Sequence, residues 1–313
     1  MAGSAPGAAN KGHPVVAVVG PTAAGKSDLA VALASRLGGE IVNADSMQLY
    51  RGMDIGTAKP TLAQRGGLRH HVLDVLDVRQ TSTVAEFQAL ATGAVHDCLA
   101  RAVVPVLVGG SALYVRAVLD GFAFPGTDPA VRAELEAELV AAGAPALHAR
   151  LAELDPEAAA SILPGNGRRV VRALEVVRIT GGPFVARLPA PAYAHEPTVA
   201  LGLDVPREVL DRRIEERVDA MWAAGLVDEV RGLQRLGLSD GPTASRALGY
   251  AQVLEVLAGR CTERQARDET VRATRRFARR QLAWFRKDPR IRWLPHDASD
   301  RTEQALAQVG LDV

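Results

Sequence analysis

The sequence is poor in aromatic residues and in cysteine. Aromatic side chains make up 4% of its 313 residues, whereas hydrophobic residues, mainly Ala, Val and Leu, reach 48%. This balance favours helices packed on an aliphatic sheet over an aromatic-rich β protein. The two cysteines, Cys98 and Cys261, are far apart, which excludes a disulfide framework, and we expect both to be buried thiols. No apolar segment approaches the length that crosses a membrane, so we expect no membrane partner.

Charge is unevenly distributed along the chain. The formal net charge is +1, yet residues 260–292 contain twelve Arg or Lys against four Asp or Glu, a local charge of +8. A basic region of this kind indicates a polyanionic partner. Residues 1–13 are small and polar and lack the apolar stretch of a secretory signal, so we predict a disordered start on a cytoplasmic protein.

Short aliphatic runs alternate with segments of helical period. We predict strands at 14–20, 39–46, 70–77, 103–110, 198–205 and 291–295. The alternation is typical of an α/β fold with a parallel sheet. Between 126 and 196 the pattern is helical instead, with helices expected at about 128–142, 145–154, 156–163 and 167–180. We therefore predict a P-loop core of residues 14–125 and 197–313 that carries a helical insertion domain, 126–196.

The first strand leads directly into a glycine-rich loop and then a helix. This loop fits the G-x-x-x-x-G-K-[ST] pattern in the strand-loop-helix setting that the pattern requires. Its backbone N–H groups and lysine can hold a diphosphate, and its serine hydroxyl can bind Mg²⁺. The predicted diphosphate-binding residues are Gly20, Pro21, Thr22, Ala23, Ala24, Gly25, Lys26 and Ser27, with Ser27 as the metal ligand.

The loop alone leaves the ligand open, because kinases, GTPases and motor ATPases share this nucleotide-binding motif. In the nucleotide-hydrolysing members a strand ends with an aspartate that helps to hold Mg²⁺. The corresponding candidate here ends in Gly109, Gly110 and Ser111. The missing carboxylate disfavours nucleotide hydrolysis.

Asp45 follows the second predicted strand, at the edge of the sheet where open α/β folds bind ligands. A catalytic carboxylate and an ordinary turn or capping aspartate are equally compatible with this spacing. The following segment, 52–60, is polar and rich in glycine, which is typical of an active-site loop and also of a surface connection.

Several motifs together resemble the bacterial tRNA dimethylallyltransferase family. They are GPTAAGKS, NADSMQLYRGMDIGTAKP, LVGGSALY, RRVVRALEV, RIEERV, RALGYAQ and RRQLAWFRKD, and they span nearly the whole chain in the family's order. The resemblance implies Mg²⁺ dependence, dimethylallyl diphosphate as donor, and prenylation of the adenine 3′ of the anticodon in tRNA. Eukaryotic members add a zinc finger, for which this sequence has no Cys/His cluster.

The resemblance also implies roles for individual residues. Asp45 would accept the proton of the adenine amine, while Thr22 and Arg217 would act on the diphosphate. Trp284, Phe285 and Tyr250 would offer faces to unstacked bases. The residues that would contact tRNA are Asp45, Ser46, Met47, Gln48, Ser111, Arg132, Arg168, Arg169, Arg172, Arg246, Gly249, Tyr250, Gln252, Arg279, Arg280, Gln281, Trp284 and Arg286.

Two other classes of function remain open. One is a small-molecule kinase or an adenylate prenyltransferase, which would not need the helical insertion and the basic carboxyl-terminal region. The other is a non-catalytic, nucleotide-dependent tRNA-binding protein, for which no γ-phosphate-sensing segment is visible. The basic region also fits an amphipathic helix with solvated arginines. We expect a monomer.

Overall fold

The structure is a computed structural model that describes residues 13–184 and 189–310. Residues 1–12, most of the segment predicted to be disordered, lie outside this part of the chain. The chain divides into two compact units, which are described separately: unit 1 comprises Met1–Gly121 and Ala192–Val313, and unit 2 comprises Phe122–Pro191.

Unit 1 contains a six-stranded sheet in which every pairing is parallel. The strands are β1 (Val15–Val19), β2 (Glu40–Asn43), β3 (His70–His71), β4 (Pro105–Gly109), β5 (Thr198–Asp204) and β6 (Ile291–Pro295). Their order across the sheet is β3-β2-β4-β1-β5-β6, so β1 lies between β4 and β5. The predicted α/β class with a parallel sheet is confirmed.

The described part of unit 1 has eight α-helices, several of which cover the two faces of this sheet. They are α1 (Lys26–Leu37), α2 (Val84–Ala100), α3 (Ala112–Leu119), α8 (Arg207–Ala223), α9 (Leu226–Arg235), α10 (Tyr250–Leu257), α11 (Glu263–Phe285) and α12 (Arg301–Val309). Because side chains alternate along a strand, Val16 and Val18 pack with α1, α8 and α12, whereas Val15, Ala17 and Val19 pack with α2 and α3. Burying one such valine contributes about 1.5–3 kcal/mol.

The third strand is much shorter than predicted. Only His70–His71 pairs with β2, although the apolar run 70–77 suggested a full strand. Val72 and Asp74 have φ values of 61° and 56°, in the left-handed region, so the backbone turns out of the sheet there. A single bridge between Tyr50 and Leu76 continues the contact beyond the turn.

Unit 2 is helical and has a hydrophobic core of its own. Its helices are α4 (Pro129–Ala142), α5 (Ala144–Leu154), α6 (Pro156–Ser161) and α7 (Gly167–Thr180), which confirms the helices predicted in this region. Asp128, Asp155 and Asn166 begin α4, α6 and α7, because each side chain accepts backbone N–H groups of the first turn. Buried Leu135, Leu151, Val170 and Leu174 lie in the shared core.

The cysteines differ in exposure, and neither is bonded to another. Cys98 is buried as predicted, but Cys261 is partly exposed, so the expectation of a second buried thiol is wrong. Within 13–184 and 189–310, no helix combines the length and apolarity needed to cross a bilayer.

Candidate active site

The predicted diphosphate-binding loop connects β1 to α1. Gly25 begins the helix in a left-handed conformation, and no side chain caps the helix N-terminus. The first N–H groups of α1 therefore remain available to an anion, and the helix dipole favours negative charge at the same point. The Lys26 ammonium folds back on the loop and donates to the carbonyl oxygen of Pro21 at 2.7 Å.

Two cations and one carboxylate influence one another at this loop. Burial lowers the pKa of Lys26 to about 8, with the Asp45 carboxylate opposing the shift and the Arg217 guanidinium adding to it. Burial also lowers the pKa of Arg217, again opposed by Asp45. Desolvation makes the charged forms of these two cations unfavourable. An anion that binds beside them would compensate for this cost, so anion binding here is favourable.

The end of β2 fixes the backbone around Asp45. The buried Asn43 side chain accepts the N–H of Asp45 at 3.0 Å and donates to the Asp45 carbonyl at 3.1 Å and to the Val72 carbonyl at 3.0 Å. The Asp45 Oδ1 accepts the N–H of Met47 at 2.9 Å. Asp45 is therefore a turn aspartate, as one interpretation held, and its negative charge also acts on Lys26 and Arg217. Sequence reasoning missed Asn43, although a polar residue at the end of an apolar strand is the signal that could have identified it.

The segment predicted as an active-site loop, 52–60, contacts one of these cations, Arg217. The carbonyl oxygen of Thr57 accepts from Arg217 Nη2 at 3.2 Å and from Gln48 Nε2 at 3.2 Å. The buried Lys59 ammonium donates to Asp54 and to Asp74 at 2.6 and 2.5 Å, and to the Tyr50 carbonyl at 2.7 Å. The buried Lys59 ammonium thus joins the segment to itself through Asp54 and to the rest of unit 1 through Tyr50 and Asp74. The segment is therefore packed against unit 1.

Helix α11 has two different faces. Arg279, Arg280 and Trp284 are exposed, with Trp284 44% accessible, so their side chains are open to a partner. Gln281 is 8% exposed, and its Oε1 accepts the backbone N–H of Thr22 at 2.9 Å. Phe285 is buried, so the prediction that its ring offers a face to a base is wrong.

The prediction of base stacking on Tyr250 is also wrong. Its ring is fully buried in a cluster with Leu226 and Val230, and its hydroxyl donates to Glu229 at 2.6 Å. Nearby, Gln252 Oε1 accepts the N–H of Gly249 at 2.8 Å and thereby caps α10. Sequence patterns did not distinguish these structural roles from contact with a ligand.

Other residues predicted to contact tRNA lie at various places in unit 1. Arg246 is exposed at the end of a short 3₁₀ helix, Ala244–Arg246. Ser111 begins α3, directly after β4. Arg286 pairs with Asp204 at 2.5 Å and lies over the Trp293 ring. Ser46 and Met47, both partly exposed, follow Asp45 along the chain.

The arginines of unit 2 that were predicted to contact tRNA fall into two groups. Arg132 and Arg172 both pair with Glu175, whose side chain has no exposed surface. A buried carboxylate needs such partners, so both arginines have a structural role. Arg168 and Arg169 are exposed in the first turn of α7.

In the folded protein, carboxylates offset much of the positive charge of the basic region 260–292. Seven of its cations pair with carboxylates: Arg260, Arg267, Arg272, Arg275, Arg276, Arg286 and Arg290. Several of these carboxylates, among them Asp219, Glu215 and Asp204, belong to other parts of unit 1. The local charge of +8 therefore overstates the field that a polyanion would meet.

A second cluster of polar side chains lies at the start of β2. Among the described residues, Glu40, His71 and Cys98 are the group with metal-ligand atoms close together, within 4.8 Å. Both Glu40 oxygens already accept from Arg101, at 2.8 and 2.7 Å. The guanidinium occupies the position that a cation would take, so we assign this cluster a structural role.

Together, the fold and the site define a P-loop α/β protein that can hold an anionic phosphate chain beside a carboxylate at a strand end. The model of the IPP transferase family matches residues 48–288. A tRNA dimethylallyltransferase of Thermobifida fusca is 64% identical over 300 residues, which cover 94% of each chain, and one of Streptomyces coelicolor is 64% identical over 92% of each chain. The chain belongs to the IPP transferase family, as its motifs indicated.

Solved structures agree with this membership. The tRNA isopentenylpyrophosphate transferase of Bacillus halodurans is 41% identical and superposes with a TM-score of 0.69, covering 95% of this chain and 94% of its own. A eukaryotic dimethylallyltransferase acting on tRNA is 25% identical with a TM-score of 0.80, covering 94% of this chain and 77% of that one. The second comparison extends the shared fold to a more distant relative.

Proposed function

We propose that the protein transfers the dimethylallyl group of dimethylallyl diphosphate to the exocyclic amine of the adenine 3′ of the anticodon in tRNA, releasing diphosphate. The relatives named above carry out reactions of this kind, as their names state. The observation that carries the proposal is a phosphate-binding loop with an uncapped helix N-terminus, in which Lys26 lies on the loop and interacts electrostatically with both Arg217 and Asp45.

The leaving group determines what the loop must do. As the allylic carbon–oxygen bond breaks, its electron pair stays with the diphosphate, and negative charge grows on the bridging oxygen. The N–H groups of the loop, the Lys26 ammonium and the Arg217 guanidinium are positioned to stabilise that charge. Because these donors are already fixed by β1, α1 and α8, little reorganisation is needed during the reaction.

Mg²⁺ would add to this stabilisation, and the residues present fit it. Ser27 lies in the first turn of α1 and is one of the residues, with Asp28, Asn43 and Gln48, that line a cavity of about 90 Å³. Mg²⁺ commonly takes one or two protein oxygens and completes its octahedron with phosphate oxygens and water. Ser27 would supply the protein oxygen, and the bound ion would neutralise part of the diphosphate charge.

The acceptor amine needs a base, because its lone pair is delocalised into the purine ring. As the new carbon–nitrogen bond forms, one N–H proton must leave, and we assign it to the Asp45 carboxylate. One Asp45 oxygen holds the turn through Met47 and the other can accept the proton. The adenine must leave the stack of the anticodon loop to reach this position.

Recognition of tRNA would use exposed cations and one exposed ring. On α11 these are Arg279, Arg280 and Trp284, and on α7 they are Arg168 and Arg169. Arginines would neutralise phosphates, and the indole would stack on an unpaired base. One chain supplies the phosphate-binding loop, the general base Asp45 and the diphosphate-binding Arg217, so we propose that the enzyme acts as a monomer. The tRNA substrate fits a cytoplasmic enzyme.

One assay separates this proposal from an adenylate prenyltransferase and from a non-catalytic tRNA-binding protein. The protein is incubated with labelled dimethylallyl diphosphate and unmodified tRNA, AMP or ATP. Label in tRNA alone is expected. Label in AMP or ATP instead would identify an adenylate prenyltransferase, and tRNA binding without any label would identify a non-catalytic tRNA-binding protein.

A further inference from the structure

Glu229, in the first turn of α9, lies outside the set of predicted site residues, yet it holds the loop that contacts Arg217. Its Oε2 accepts the N–H groups of Asp54 at 3.2 Å and Ile55 at 2.8 Å, and its Oε1 is 3.4 Å from the N–H of Gly56. Three successive backbone N–H groups thus converge on one carboxylate. Such a concave arrangement of N–H groups is an anion-binding device, and here the anion is part of the same chain.

A fourth donor completes the arrangement. The Tyr250 hydroxyl donates to Glu229 Oε1 at 2.6 Å. Burial raises the pKa of Tyr250 above its usual range, and the Glu229 charge acts in the same direction, so the hydroxyl keeps its proton. Each carboxylate oxygen therefore faces two donors, which fills the accepting capacity of an ionised glutamate.

The loop backbone lies directly on the Tyr250 ring. A Cβ atom added to Gly56 would come within 2.4 Å of a ring carbon of Tyr250. Only glycine allows this approach, so the ring and the Glu229 carboxylate together determine where residues 54–56 lie.

The next residue carries the functional contact. Thr57 follows Gly56 in a closed turn in which its Oγ1 donates to the Met53 carbonyl at 2.7 Å and the N–H of Ala58 donates to the Ile55 carbonyl at 3.0 Å. The Thr57 carbonyl points to Arg217 Nη2 at 3.2 Å. Fixing the N–H groups of residues 54–56 therefore fixes the acceptor that orients the guanidinium.

We propose that Glu229 is a positioning residue for the diphosphate-binding site, acting through the Asp54–Thr57 turn on the orientation of Arg217. This inference rests on the proposed function, in which Arg217 binds the diphosphate and stabilises its charge. Glu229 touches neither substrate, since its carboxylate is occupied by the loop and by Tyr250. Its effect on diphosphate binding should pass through Arg217.

Glu229→Gln tests this relationship, because it keeps the size of the side chain and replaces one acceptor oxygen by a donor amide. At least one of the four donors then meets another donor, and the turn loosens. We expect the affinity for inorganic diphosphate, measured by calorimetry, to fall about tenfold. In an Arg217→Ala background the same change should cost less than about twofold, because the group through which Glu229 acts is absent.

Equal losses in the two backgrounds would overturn the proposal and leave Glu229 a purely structural link between α9 and the loop. Asp228→Asn is the matched control, since Asp228 is exposed on the same turn of α9 and pairs with Arg231. It should leave the affinity unchanged. If Glu229→Gln does not fold, Glu229→Asp repeats the cycle with a carboxylate of shorter reach, and a smaller loss with the same dependence on Arg217 is expected.

The binding measurement is independent of the acceptor. If the unmodified protein fails to prenylate tRNA, but Glu229→Gln lowers diphosphate affinity only when Arg217 is present, the proposed function is contradicted and the role of Glu229 is supported. If the unmodified protein prenylates tRNA normally, but the effects of Glu229→Gln and Arg217→Ala on diphosphate affinity are additive, the proposed function is supported and the role of Glu229 is contradicted.

Discussion

The side-chain oxygen of Gln281 accepts the backbone N–H of Thr22 at 2.9 Å, which links α11 to the phosphate loop across 259 positions of sequence. The Gln281 amide nitrogen lies 2.5 Å from the position that a Cβ atom on Gly110 would take. The missing side chain of Gly110, directly after β4, therefore makes room for this link, at the place where nucleotide-hydrolysing proteins of the same fold carry an aspartate.

Gln281→Ala should lower the free energy of unfolding by about 1–3 kcal/mol, because the Thr22 N–H loses its partner inside the protein. Gly110→Ala should also destabilise the protein, since the new methyl group would overlap the Gln281 amide. In the Gln281→Ala background, Gly110→Ala should cost clearly less, because the space is then free. Urea unfolding of the four proteins measures this, and strictly additive losses would show that Gln281 and Gly110 do not share this contact.

The affinity for inorganic diphosphate should depend on pH through Lys26. Burial lowers the pKa of this ammonium to about 8 in the free protein. Lys26 is therefore charged below pH 8 and loses its proton as the pH rises through that value, so diphosphate affinity should decline above about pH 8. Calorimetry from pH 7 to 9.5 measures the decline.

Lys26→Gln is the control for that experiment, because the titration of diphosphate itself is common to both proteins. The difference in binding free energy between the two should be largest at pH 7 and should shrink toward pH 9.5. A difference that stays constant over this range would mean that Lys26 keeps its charge throughout.

Salt dependence should separate exposed from paired arginines on α11. The association of tRNA should weaken as salt rises, because bound phosphates release counterions. Arg279→Ala should reduce the slope of log affinity against log salt by about one. Arg275→Ala should reduce it much less, since Glu215 already offsets its charge at 2.7 Å. Equal changes of slope would argue against this assignment.

The sequence predicted those features that depend on local pattern. The loop between β1 and α1 follows from a motif, and α4 and α7 follow from the helical period of their sequences. The third strand was overestimated, because an apolar run such as 70–77 does not reveal the left-handed residues Val72 and Asp74 that end it.

Contacts between distant segments were not predictable in this way. Tyr250 and Trp284 are both aromatic residues in motifs, yet one is fully buried and the other is 44% exposed. The burial of Tyr250 depends on how α9 and the loop before Thr57 pack around its ring, which no local pattern encodes. Glu229 was missed for the same reason, since its partners at 54–56 precede it by more than 170 residues.

The most direct test of the account is single-turnover prenylation of tRNA by the unmodified protein and by Asp45→Asn, with the prenylated adenosine measured in the digested tRNA. The asparagine keeps the side-chain oxygen that accepts the Met47 N–H but cannot take a proton at neutral pH. We expect the rate to fall by about 10²–10⁴, with the affinities for tRNA and diphosphate changed far less. A near-normal rate in Asp45→Asn would contradict the account and leave Asp45 a turn residue at the end of β2.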